Sequence, residues 1–164
     1  MTTLDPLTEP LVRLFLRIDA AHPTNELLRC IADFWQTKRA SKLAPEEGEM
    51  NELPDELLSN TFIARLTSNG TRHWLACNVG VTACSILHVK DEEPIEAADK
   101  RSAVRLRRLF DLVAEKYEPY SVMFDSIDQD GKAQLIEVFA APLGSSEETT
   151  DQIFAAVSSR VVET

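Results

Sequence analysis

The 164-residue chain is short of basic residues, glycine, cysteine and histidine, and each shortage removes a class of function. Lys and Arg total 17 against 27 Asp and Glu, a formal charge of −10, so the field of the molecule repels phosphate backbones and anionic bilayers. Nucleic acid and membrane surfaces are therefore not expected partners. The five glycines, Gly48, Gly70, Gly80, Gly131 and Gly144, are scattered, and no phosphate-cradling loop assembles from them. Cys30, Cys77 and Cys84 are odd in number and lack metal-ligand spacing, and MTTLDPLTEP lacks the charged and apolar regions of a secretory leader. A reduced, cytoplasmic protein is expected. His22, His73 and His88 fall in neither a His-x-His nor a Glu-x-x-His pattern, so no metal site is expected. No apolar run approaches the roughly 18 residues that a membrane span needs.

What is present suits one globular domain. Hydrophobic residues make up 44% and charged residues 27%, and a chain of this length buries roughly 68–70% of its unfolded surface. Leu7, Leu11, Leu14, Phe15 and Ile18 recur at spacings of three and four, which predicts an amphipathic N-terminal helix within residues 1–22, ended by Pro23. Val12 and Leu16 widen its apolar stripe. Thr24 can cap a second helix carrying Leu27, Leu28, Ile31, Phe34 and Trp35, and the Pro-rich, acidic stretch from Ala44 to Asp55 reads as a connection.

Asn69-Gly70 suits a type I′ turn between two β-rich runs and predicts a hairpin. A two-residue turn sets Leu66 opposite His73, Ala64 opposite Leu75 and Phe62 opposite Cys77, with all six on the core face and an Arg65–Trp74 pair on the wetter one. Residues 97–118 read as the longest helix, with Leu106, Leu109, Phe110, Val113 and Tyr117 on one side. A second hairpin turns about Asp130-Gly131, and its poor alternation predicts a bulge. Residues 147–158 fit a helix or a short strand at 153–157.

Several local strings resemble the compact, stand-alone bacterial PAS subfamily. They are Phe34-Trp35 with Lys38-Arg39 and Ala44-Pro45, the step Leu53-Pro54-Asp55-Glu56-Leu57-Leu58, Gly80 after the second strand, LIEVFAAPL at 135–143, and Asp151-Gln152-Ile153-Phe154. The resemblance implies an α+β fold: a PAS-like five-stranded antiparallel sheet covered by helices, with an N-terminal helical extension (1–22) on a single domain (23–164). It favours the strand reading of 153–157. It also implies a non-catalytic sensory or regulatory module that works through a small apolar ligand, a protein partner, or both. The glycine-rich turn of the family after Gly80 is absent from VTACSILHVKDEEP.

The hairpin register and the long helix together nominate Phe62, Ala64, Leu66, His73, Leu75, Cys77, Phe110 and Val113 as the lining of a ligand cavity. Flavin and haem are disfavoured as cofactors, because Cys77-Asn78 is not the flavin-attaching string and the long helix has no histidine. Leu11, Val12, Phe15 and Leu16 form a candidate homodimer face. Arg101, Arg105 and Arg108 share a face of the long helix and are candidates for contact with an acidic partner; the competing reading pairs them with Asp99, Asp111 and Glu115. Two alternatives compete with the regulatory reading. One is a small cone-shaped α+β enzyme using His73 and Asp125 as acid and base; the other is a ligand-free dimerisation scaffold.

Overall fold

Twelve short elements alternate in a computed structural model that describes residues 15–19, 22–69, 71–128, 130–144 and 152–162. Strand β1 (Arg17–Asp19) is followed by helix α1 (Glu26–Arg39) and the single-turn helices α2 (Glu47–Met50) and α3 (Asp55–Leu58). Strands β2 (Thr61–Asn69) and β3 (Thr71–Cys77) lead to α4 (Val81–Leu87), a 3-10 turn at Ile95–Ala97, and the long helix α5 (Lys100–Lys116). Strands β4 (Tyr120–Ile127), β5 (Ala133–Leu143) and β6 (Gln152–Val161) complete an antiparallel sheet in the order β1-β4-β5-β6-β2-β3. The segment read as helix or strand is therefore a strand, and it lies inside the sheet.

Three expectations about the sheet need correction. The sheet has six strands where five were expected, because residues 17–19 pair with β4 instead of continuing a helix from residue 7. The outer edge of β4 would otherwise leave its polar backbone groups unpaired, and Leu16 N and the register Ile18↔Val122 satisfy part of it. Residues 1–14 of the expected helix lie outside the described residues.

The β2–β3 register is shifted by one residue from that of a two-residue turn. Asn69 pairs with Thr71, so Leu66 faces Trp74 and Arg65 faces Leu75. A one-residue slip moves every side chain of a strand to the opposite face. Trp74 is thus buried, not stacked on Arg65, and its indole nitrogen donates to Asp111 Oδ1 at 2.9 Å. The third correction is to the expected bulge: β4 and β5 pair without interruption from Tyr120↔Ala140 to Ile127↔Ala133. Alternation in β5 is weak because both of its faces are buried, which favours continuous apolar sequence.

Helices cover both faces of the sheet. On one, α5 packs Leu106, Leu109, Phe110 and Val113 against Phe62, Ala64, Trp74, Ala76, Val122, Phe124, Ile136, Val138 and Ile153. On the other, α1 buries Leu28, Ile31, Ala32 and Trp35 against Ile63, Phe139, Ala141, Leu143, Phe154 and Ala156. Small and large residues alternate across neighbouring strands here, with Phe139 opposite Ala156 and Ala141 opposite Phe154. Asn25 caps α1, its side chain accepting from Leu28 N at 3.1 Å, while the neighbouring Thr24 points elsewhere. At Gly80 the start of α4 crosses the end of α3 so closely that an added Cβ would lie 2.3 Å from Ser59 O. Only glycine fits that crossing.

Candidate functional site

The shifted register divides the residues nominated for a ligand cavity. Phe62, Ala64 and Leu66 face α5 together with Phe110 and Val113, whereas Leu75 and Cys77 belong to the α1 side and His73 shares their strand face. The five that remain together belong to one packed apolar cluster. Phe110 meets the rings of Phe62 and Trp74 at centroid distances of 6.0 and 5.9 Å, both edge to face. The residual void beside them, lined by Phe62, Ala76, Val79, Leu87 and Ile95, admits no water-sized sphere. Trp74, assigned from sequence to the wet face, is the residue that fills the interior.

Cys77 is buried on the α1 side, and burial pushes its thiol up from the ordinary range, with Arg65 opposing and nearby carboxylates reinforcing the shift. A neutral thiol there is a packing group and a poor nucleophile. His73 and Asp125 are not brought together. They stand on β3 and β4, with β2, β6 and β5 between them, four inter-strand steps of about 4.8 Å each. Asp125 instead meets Arg101, Oδ2 to Nη1, at 3.4 Å.

The N-terminal candidates separate in the same way. Leu11 and Val12 lie outside the described residues. Phe15 is buried, its ring centroid 6.3 Å from that of Phe124, so it serves the monomer core, while Leu16 is 64% exposed. On α5, Arg101 and Arg108 are exposed, and Arg105 lies over the Phe124 ring at 5.8 Å while donating to Arg101 O at 2.9 Å. Of the three acids expected to neutralise this face, Asp99 and Asp111 are engaged elsewhere and Glu115 is exposed. Asp99 accepts from Ser102 N and Oγ at 3.0 and 2.7 Å, and Asp111 accepts from Trp74. Among the described residues, Lys100, Arg107 and Arg108 make no ion pair within 4.0 Å.

Sequence reasoning passed over Glu137, which is 5% exposed in the middle of β5. Its Oε1 accepts from Asn25 N at 2.9 Å and its Oε2 from Thr24 N at 2.7 Å, while the Thr24 hydroxyl donates to both oxygens. Arg17 Nη1 stands 3.8 Å from Oε2. These contacts occupy the free N–H groups at the N-terminal end of α1. The signal was available, since one acid interrupts the otherwise apolar run LIEVFAAPL. At the opposite end of the helix, Trp35 Nε1 donates to Pro142 O at 3.1 Å. Both ends of α1 are thus fastened to β5. A surface cleft of about 380 Å³ opens at the far end of the sheet, among Asn51, Asp55, Leu58, Val79, Gly80 and Val81.

Among the described residues, no His, Cys, Asp and Glu cluster of three could hold a metal ion, and no helix is long and apolar enough to cross a membrane. An antiparallel sheet with a long helix packed across one face defines an α+β architecture. A family model described as PAS domain matches residues 22–158, and the chain belongs to the PAS domain family. PAS domains are generally non-catalytic sensory or regulatory modules. No curated protein and no solved structure matches the chain.

Proposed function

We propose that this PAS domain is a non-catalytic regulatory module that acts by associating with another protein and does not enclose a small apolar ligand. The observation that carries the reading is the packing between sheet and α5, where Phe110 meets the rings of Phe62 and Trp74 edge to face, while the adjoining void lined by Phe62, Ala76 and Leu87 admits no water-sized sphere. An apolar ligand of ordinary size needs a pocket of roughly 300 Å³ or more. Opening one here would displace an indole that is also tied to Asp111. Such a domain conveys information through its outer surface.

Native mass spectrometry of the freshly purified full chain tests this reading. The expected spectrum shows the bare polypeptide mass. A stoichiometric small-molecule adduct, lost on denaturation, would overturn the reading and restore ligand binding as the working hypothesis.

A further inference from the structure

The surface cleft of about 380 Å³ at the far end of the sheet has walls that are fastened to each other. Gly80 N donates to Thr61 O at 2.9 Å and Ala83 N to Ser59 O at 3.0 Å, which ties the start of α4 to the connection between α3 and β2. Thr82 N donates to Ser59 Oγ at 3.2 Å, and the Ser59 and Thr82 hydroxyls stand 2.7 Å apart. The cleft is therefore preformed, and binding there orders little of the chain. Ile63 and its cross-strand partner Phe154 lie at its base, with Leu58, Val79 and Val81 around them. Val81 is 82% exposed, the most of any large apolar side chain described. The polar lining falls into two sets. Ser59 and Thr61 are bonded within the walls, Thr61 Oγ1 donating to Leu58 O at 2.9 Å, whereas Asn51, Asp55 and Asn78 are exposed. Among the described residues that line the cleft, Asp55 is the one charged group and none is basic.

Resting on the association reading above, we infer that this cleft is the docking site for a basic side chain and its apolar neighbour on a partner protein. An arginine lays its aliphatic stem along apolar surface while its guanidinium stays at the rim. That is the division of chemistry here, between Leu58, Val79 and Val81 on one hand and the carboxylate of Asp55 on the other. The setting favours a cation. Residues 46–56 contain six acids and no base, in a chain with a net charge of −10. Lys42, Lys38 and Arg65 meet Glu49, Glu52 and Glu47, which lie outside the lining, so the charge of the cleft itself stays negative. The open rim suits a side chain carried by a larger molecule, because a free small ligand would leave much of its surface in water.

The test is an NMR titration of the isotope-labelled full chain, which reads weak binding residue by residue. Two peptides with capped ends serve as probes, Gly-Ser-Leu-Arg-Ile-Ser-Gly and the same peptide with Glu in place of Arg. The Arg peptide should shift the amides of Asp55, Asn78 and Val81 saturably, and the Glu peptide should bind at least about tenfold more weakly. Asp55→Asn should weaken the Arg peptide about two- to fivefold, the range of an exposed ion pair. Asp55→Lys should invert the preference between the two peptides, a result that a merely structural Asp55 would not give. Val81→Lys, at an exposed position, sets a like charge beside the site and should weaken the Arg peptide about tenfold, even if the Asp55 variants fail to fold. Equal binding of the two peptides, shifts confined to another face, or undiminished binding by folded variants would overturn the docking site. So would butylguanidinium binding the same amides as tightly as the peptide, which marks a small-ligand site. Concentration-dependent shifts of those amides without peptide would make a second copy of the chain the occupant and overturn it as well. If the Arg peptide fails to bind while native mass spectrometry shows the bare chain, the docking site falls and the association reading stands. A stoichiometric adduct in that spectrum removes the association reading, and the docking site with it.

Discussion

The two faces of the sheet are covered by different means. On the α5 face, Phe110 meets Phe62 and Trp74 edge to face within a larger apolar cluster, so stability there is distributed over many contacts. On the α1 face, apolar packing is supplemented by discrete polar attachments at the two ends of the helix, Glu137 to Thr24 and Asn25, and Trp35 to Pro142. Distributed contacts yield only when the whole core yields, whereas an element held at two points can be released by losing one of them. On this comparison α1 is expected to open before α5 does.

The largest expected effect tests the α5 side. Phe110→Ala should cost about 3–5 kcal/mol in urea unfolding, with one transition seen by all probes, because the cavity it leaves is walled by Phe62 and Trp74. A loss below about 1 kcal/mol would show that this core is looser than its geometry indicates. Next, Glu137→Gln should cost about 1.5–3 kcal/mol, the range for hydrogen bonds to a charged group. The comparison predicts where that loss appears: hydrogen exchange should accelerate in α1 and leave α5 protected. Uniform acceleration across both helices would erase the distinction between the faces.

The smallest effect is a pH dependence from Cys77 on the α1 side. Burial raises its folded-state thiol, so above the ordinary thiol range the folded chain retains a proton that the unfolded chain has released. The contribution is constant at neutral pH and stability falls as pH rises beyond about 8.5. Cys77→Ala should flatten that part of the pH–stability curve relative to the parent. An unchanged slope would mean that water reaches the thiol and that the α1 cover is already open.

Much of this arrangement was legible in the order of residues. The stripes of Leu28, Ile31 and Trp35 and of Leu106, Phe110 and Val113 located the two covering helices, because burial of one helical face imposes a period of three to four. The turn pairs located both hairpins. The β2–β3 register was not legible, since it depends on one residue of turn geometry, and that residue decides whether Trp74 or Leu75 faces α5. β1 escaped for a related reason: in three residues a strand and a helical turn share the same apolar spacing, and only the open edge of β4 selects between them. The fastening by Glu137 joins residues 112 and 113 positions apart, beyond the reach of any local pattern.

The position of β6 bears on how the molecule is made. It pairs with β5 on one side and β2 on the other, so it joins the β4–β5 hairpin to the β2–β3 hairpin, yet it is the last of the strands to leave the ribosome. Until residues 152–161 emerge, β2 and β5 each present an unpaired edge, and neither helical cover has a complete sheet to rest on. Synthesis therefore passes through an interval in which two hairpins wait with open, apolar flanks, the condition under which strands recruit foreign partners. A chain stalled or cleaved before Gln152 would enter that condition permanently, and sticky aggregates, not a weakened domain, are the form in which such a fragment would be found.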